Sequence, residues 1–311
     1  MKQHPKKNIA IIGATSPSGK SIAEKSGNDN LLTLTYRDAR LLPEQFKNKS
    51  NIKLLHYDLE NKTPPEISIF KQCDIVIWTA HIKHADEKKQ LTLNTKAIQS
   101  FLSIVKQTNI RRFIYLSSGG SIYGPPFVAP IVETHPLKPV TPYGRTKLAI
   151  ENILIDAHKK TGMELAILRP GNIYGEDSLT GRSKGIIASY INSSLNNESF
   201  TIIGNSLNIR DYIYIQDLVE AVKFAVDSSR KFLIWNVGTG IGHSVEYIMH
   251  YITEMTHLKP SIIHHKKLTT KEIPVNILNI NRICQETPWR YNVSLEQGLE
   301  VLLKPLIKEK K

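Results

Sequence analysis

Asn8-Ile9-Ala10-Ile11-Ile12-Gly13-Ala14-Thr15-Ser16-Pro17-Ser18-Gly19-Lys20 is the stretch on which the fold is decided. The short apolar, β-branched run over residues 8–12 predicts a strand, and the Gly- and Ser-marked turn after it predicts a helix start. Gly13 at the strand end permits a tight turn. Gly19 lets the helix pack closely on the sheet, so that backbone N–H groups and the helix dipole face an anion such as a pyrophosphate. Ser16 stands where a glycine-rich loop of this kind carries its middle glycine; its side chain narrows the approach but is small and offers a hydrogen bond. Thr15, Pro17 and Ser18 complete the candidate phosphate loop. Such a turn also occurs at strand–helix junctions that bind nothing, so the rest of the chain has to support the reading.

Outward from that loop, short apolar runs alternate with longer helical segments. Strands are expected over residues 31–36, 52–55, 74–78, 112–117 and 164–168, with helices over 91–107 and 143–160. This alternation is the pattern of repeated βαβ units, and it predicts an α/β fold with a doubly wound parallel sheet. Beyond Pro170 the rhythm is less regular, with single strands over 211–215 and 232–235. The expected division is a first domain over 1–171, with returns at about 209–237 and 274–281, and a smaller interleaved lobe over 172–311. There is no internal repeat and no low-complexity linker.

The composition, with 311 residues, 41% apolar and 22% charged, is that of a globular chain with a full core. No apolar run is long enough for a membrane helix and no signal-peptide segment follows Met1, which predicts a cytoplasmic protein without membrane insertion. Cys73 and Cys284 lack partners at ligand spacing, so neither a disulfide framework nor a metal site is expected. The formal charge is +13, which admits nucleic acid, an anionic membrane or a phosphorylated small molecule as partner. Part of it sits at the ends, in Lys2, Lys6, Lys7, Lys304, Lys308, Lys310 and Lys311. Basic and aromatic residues are not interleaved as in a single-strand platform, and nucleic acid is not the expected partner.

At the end of the second strand, where dinucleotide-binding folds place an acidic residue for the ribose hydroxyls, the chain has Arg37 followed by Asp38. Arg37 would stack on adenine and pair with a 2′-phosphate, which leans the reading from NAD towards NADP; a solvated strand end is the alternative. Asp58 is placed to accept from the adenine amino group, or to cap a turn. Tyr143-Gly144-Arg145-Thr146-Lys147 sets a phenol and an ammonium four residues apart on one helix face. The stretch Ser117-Ser118-Gly119-Gly120-Ser121-Ile122-Tyr123-Gly124 brings hydroxyls to the carboxyl edge of the sheet. Moving a hydride from a carbinol requires a base for the hydroxyl proton, and a phenol serves once positive charge stabilises its phenolate.

These residues carry a resemblance. The chain resembles the extended short-chain dehydrogenase/reductases, in particular the NAD(P)-dependent nucleotide-sugar epimerase/dehydratase family and its UDP-glucose 4-epimerase-like members. The likeness rests on GATSPSG, LSSGGSIYG at 116–124, PYGRTK at 142–147, LRPGNIYG at 168–175, IRDYIYIQDL at 209–218 and NVGTG at 236–240. It implies a Rossmann domain for the dinucleotide, a C-terminal lobe for a nucleotide-diphosphate sugar, and a homodimer through the helices near 91–107 and 143–160. By this resemblance Tyr143 is the catalytic base, and Lys147 orients the nicotinamide ribose and lowers the tyrosine pKa. Leu59, Ala80 and Pro170 line the cofactor site, while Asn172 and Arg210 contact the substrate diphosphate.

The departures are informative. The family's catalytic Ser/Thr falls on Gly119, so its hydroxyl has to come from Ser118 or Ser121. Ser121, two residues on in an extended segment, shares the face of Gly119 and is preferred as the substrate contact. Gly120 and Ser121 replace the acidic pair of the dehydratases. Ile203 replaces an aromatic that stacks on the base, and Thr269 stands near the place of a late arginine, with Lys266 and Lys267 close by. The leading expectation is a nucleotide-diphosphate-sugar 4-epimerase, then an NADPH-dependent 4-keto-sugar reductase, and last a non-catalytic NADP(H)-binding sensor.

Overall fold

The computed structural model describes residues 6–60, 66–125, 128–175, 185–268 and 271–308. Thr269 and the tail lysines Lys2, Lys310 and Lys311 lie outside them. Thirteen strands run in chain order among the described residues: β1 Asn8–Ile12, β2 Leu31–Tyr36, β3 Ile52–His56, β4 Ile75–Trp78, β5 Arg112–Leu116, β6 Glu164–Pro170, β7 Asn172–Tyr174, β8 Ser199–Ile203, β9 Ile209–Tyr214, β10 Phe232–Val237, β11 Gly242–Ser244, β12 Ile262–Lys266 and β13 Val275–Asn276. Seven of them form one sheet in the order β10-β6-β5-β4-β1-β2-β3. The pairings of β1 with β2 and β4, of β2 with β3 and of β5 with β4 and β6 are all parallel. The order reverses beside β1, which makes the carboxyl ends of β1 and β4 the switch point where ligands of such sheets bind. The expected Rossmann-like, doubly wound architecture is therefore present.

The chain divides into two compact units, each built from separated segments. The first comprises the chain up to Ser117, Pro142–Leu168 and Val222–Ile234; the second comprises Ser118–Thr141, Arg169–Ala221 and the chain from Trp235 onward. The segment Ser118–Thr141 thus packs with the second unit, although a sequence division at residue 171 assigns it to the first.

In the first unit the central strands β1, β4 and β5 are buried along almost their whole length, as in a sheet covered by helices on each side. Trp78 packs at ring-centroid distances of 5.3 Å from Phe101 and 6.1 Å from Phe113. Two long helices, Glu87–Val105 and Pro142–Thr161, cover this core. Asp86 caps the first of them, accepting from the Lys89 amide at 3.0 Å. Arg112 is almost fully buried and ties the unit together. Its guanidinium donates to Glu164 Oε2 at 2.8 Å, to Ala225 O at 2.7 Å and to Arg230 O at 3.1 Å.

The second unit has its own core around Tyr190, Phe200, Tyr212, Ile248 and Leu299. A sheet of β11, β9, β13 and β7 centres on β9, and β8 pairs in parallel with β12. Asp211, on β9, is buried and accepts hydrogen bonds from the Thr239 amide and hydroxyl at 2.8 and 2.9 Å, from the Gly240 amide at 3.0 Å and from the Leu278 amide at 3.2 Å. One carboxylate thereby joins the IRDYIYIQDL and NVGTG motifs. No helix among the described residues is long and apolar enough to cross a membrane.

Candidate functional site

The phosphate loop satisfies itself. Gly13 takes a φ of +94°, and a Cβ there would lie 2.8 Å from the Ala80 amide nitrogen, so only glycine fits. Ser16 is the N-cap of the Pro17–Ser26 helix. Its hydroxyl donates to Gly13 O at 2.8 Å, accepts from the Gly19 amide at 3.1 Å and lies 3.1 Å from Thr79 Oγ1. The side chain in the middle-glycine position is therefore folded back into the loop. The Gly13 amide donates to Thr35 Oγ1 at 3.0 Å. Pro17 opens the helix without an N–H, which leaves the loop one anion donor fewer than it would have with another residue there.

This loop forms one wall of a cavity of about 300 Å³ in the first unit, at the carboxyl ends of β1, β2, β3 and β4. Of the expected cofactor residues, Gly13, Thr15, Ser16, Arg37, Asp58, Leu59 and Ala80 line it. Pro17, Ser18 and Gly19 belong to the helix start behind the loop. Arg37 is two-thirds exposed on the rim, with Nη1 3.4 Å from Glu60 Oε1. Asp38 is occupied by Arg40, whose guanidinium approaches to 2.7 Å and holds the carboxyl down at about 2. Asp58 accepts from the Glu60 amide at 3.0 Å, closing a turn while facing the cavity. A tight glycine turn, a helix N-terminus and a rim carrying Arg37 and Asp58 fit a dinucleotide.

Beside the cavity lies a cluster of buried polar side chains. Lys147 and Tyr143 come from the Pro142–Thr161 helix, and Lys147 Nζ donates to Leu116 O at 2.7 Å. It stands 5.6 Å from the Tyr143 ring centroid and 4.9 Å from that of Tyr115. Burial pushes the Lys147 ammonium down to about 7, against the opposing pull of Glu151. Burial pushes the Tyr143 phenol up to about 12. In the field of the chain alone, then, desolvation outweighs the nearby lysine and Tyr143 is held as the neutral phenol. Sequence reasoning missed His81. This residue lines the cavity and meets Tyr143 edge-on, with centroids 4.7 Å apart and planes at 76°. A single histidine after a strand belongs to no motif, and only the packing reveals it.

In the second unit the serine stretch departs from expectation. Gly119–Ile122 is a helical turn rather than an extended segment. Residues two apart in a helix point about 200° apart, so Ser121 does not share the face of Gly119. Ser118 and Ser121, three apart, are the neighbouring pair. A Cβ on Gly119 would stand 2.7 Å from Leu278 Cδ1 and 2.9 Å from Arg169 O, which explains why no hydroxyl-bearing residue occupies that place. Asn172 reaches this turn, its Oδ1 3.1 Å from where a Gly120 Cβ would be. Pro170 is buried at the end of β6. Arg210 is half-buried on β9, between His243 of β11 and Asn276 of β13, and donates to Ile209 O at 2.8 Å. Ile203, at the end of β8, is 61% exposed.

Residues 9–238 match the NAD dependent epimerase/dehydratase family. The chain is 28% identical to a putative UDP-glucose 4-epimerase of Methanocaldococcus jannaschii, over 81% of this chain and 85% of that one. It is 29% identical to a dTDP-4-dehydro-6-deoxyglucose reductase of Escherichia coli, over 75% and 74% respectively. The fold is similar to that of the Thermotoga maritima UDP-glucose 4-epimerase solved with UDP-glucose, with a TM-score of 0.82 at 23% identity over 98% of this chain and 100% of that one. It is also similar to the Bacillus cereus UDP-glucuronic acid 4-epimerase solved with UDP-glucuronic acid and NAD, with a TM-score of 0.85 at 21% identity over the same shares of each chain. From the Gly13 turn to the NVGTG segment, the chain belongs to the NAD-dependent epimerase/dehydratase family.

Proposed function

We propose that this chain is an NAD(P)-dependent nucleotide-diphosphate-sugar 4-epimerase in which Tyr143 moves the C4 hydroxyl proton. The observation that carries this reading is the pairing of part-buried Tyr143 with buried Lys147, the lysine anchored on Leu116 O beside a cavity of dinucleotide type. When bound, the dinucleotide would supply a reversible hydride acceptor for C4 of the sugar. With the positive charge of Lys147 and of an oxidised nicotinamide beside it, Tyr143 would stand as a phenolate that accepts the C4 hydroxyl proton as that carbon is oxidised and returns it on reduction, so the protein ends each cycle unchanged. Lys147 holds positive charge against the phenolate while it exists. Ser118 or Ser121 hydrogen-bonds the substrate oxygen, and Asn172 and Arg210 hold the diphosphate of the sugar nucleotide. Arg37 on the cavity rim favours NADP over NAD, although Glu60 beside it competes for the guanidinium. The active unit is a homodimer through the two long helices, a state that light scattering reads directly.

A second reading, a reductase of 4-keto nucleotide sugars, draws on the Escherichia coli relative and on the neutral Tyr143, the acid form a reductase needs. Dinucleotide released on denaturing the purified protein, together with redox-neutral interconversion of nucleotide sugars, supports the epimerase. Stoichiometric consumption of NADPH with a keto sugar replaces it by the reductase. Tyr143→Phe is expected to lower kcat by about 10²–10⁴-fold in either case; unchanged turnover would sink both.

A further inference from the structure

His81 is the one side chain on the cavity wall that carries two enclosed ring nitrogens with no hydrogen-bond partner among the described residues. Its backbone is not free to move. The Asn94 amide brackets the next residue, accepting from the Ile82 amide at 2.9 Å and donating to Ile82 O at 2.8 Å. Gln90 Oε1 accepts from the His84 amide at 3.3 Å. Ala80, on the other side, packs against the Gly13 turn. What remains adjustable is the imidazole itself, lodged edge-on against Tyr143.

Packing alone does not account for a histidine here. A phenyl ring fills the same space and meets Tyr143 in the same T-shaped way without burying two unpaired polar atoms, each of which costs stability. Unpaired buried polar groups are rare enough in folded proteins that each calls for a cause. Burial, reinforced by the charges of Lys147 and Lys83, keeps the ring neutral, hence one donor and one acceptor rather than a cation. A rotamer change towards the cavity breaks no existing hydrogen bond.

We propose that His81 is a ligand of the dinucleotide, its imidazole turning from the face of Tyr143 to hydrogen-bond a hydroxyl or phosphate oxygen of the cofactor half nearest Tyr143. This rests on the reading of the cavity as a dinucleotide site. The retained ring thus trades fold stability for cofactor binding.

The test uses the full-length wild type, His81→Phe and His81→Asn, each first freed of any co-purifying dinucleotide, with the melting temperature measured without added ligand and the Kd for NAD and for NADP measured by calorimetry. His81→Phe is expected to melt higher and to bind its preferred dinucleotide about tenfold more weakly, while His81→Asn restores binding to within about threefold. In histidine labelled with ¹⁵N, the ring signals missing from His81→Phe are expected to shift in the wild type on adding dinucleotide. Undiminished affinity in His81→Phe, or ring signals that do not move, would overturn the proposal alone. Wild-type protein that binds neither dinucleotide would overturn the cavity reading as well.

Discussion

The phosphate loop and the cluster around Tyr143 lie in the same unit and handle buried polarity in opposite ways. In the loop, the Ser16, Thr35 and Thr79 hydroxyls all find partners in neighbouring backbone or in each other. In the cluster, both His81 nitrogens and the Tyr115 hydroxyl have none among the described residues, and a lysine is buried beside them. The hydroxyls of the loop are paired before anything binds. The cluster carries unpaired polarity, and unpaired polarity in a low-dielectric site is where electrostatic work on a ligand becomes strong.

The largest effect expected to test this contrast comes from Lys147. Its folded-state pKa of about 7 lies below the ordinary 10.5, so between those values the unfolded chain holds the extra proton and folding becomes more favourable as pH rises. Relative to Lys147→Met, the wild type should gain about 1.4 kcal/mol of stability per pH unit from about pH 7 to about pH 10. Parallel urea titrations of the two proteins measure this. A pH-independent difference would mean that the cluster does not burden the fold.

Next in size, Tyr115→Phe removes an unpaired buried hydroxyl and should stabilise the protein by about 1–2 kcal/mol, read as a higher melting temperature. Destabilisation by the same change would break the contrast from the other side. The smallest effect is in the loop. Ser16→Ala should cost about 1 kcal/mol, because the Gly19 amide loses its cap, and Ser16→Gly only a few tenths. A neutral Ser16→Ala in the same urea assay would show that the hydroxyl's bonds contribute nothing net.

The six strands up to β6 and the two long helices were legible because β-branched runs and helical spacing act locally and buried parallel strands are apolar throughout. Where long-range packing decides, the pattern was silent. Gly119–Ile122 looked extended because Gly-Gly-Ser has no period of its own, and it coils in the structure beside Leu278. β12 could not be read from Ile262–Lys266, since all five residues are exposed and show no alternation. Ser16 looked like an obstruction to an anion until its hydroxyl was seen to cap the helix. Asp58 faces the cavity and closes a turn at once, so the two meanings held apart in the sequence coexist in one residue.

Arg112 bears on how the protein is made. One guanidinium reaches all three separated segments of the first unit: its own, the one carrying Glu164, and the one carrying Ala225 and Arg230. During synthesis the last of these contacts cannot form until the ribosome has passed Arg230, by which time much of the second unit's chain has already emerged. The first unit of this protein is therefore not an amino-terminal module completed early and extended later. Its closure waits for late-arriving chain, and a product truncated near residue 171 would present a buried arginine with two carbonyl partners missing to whatever folding machinery meets it.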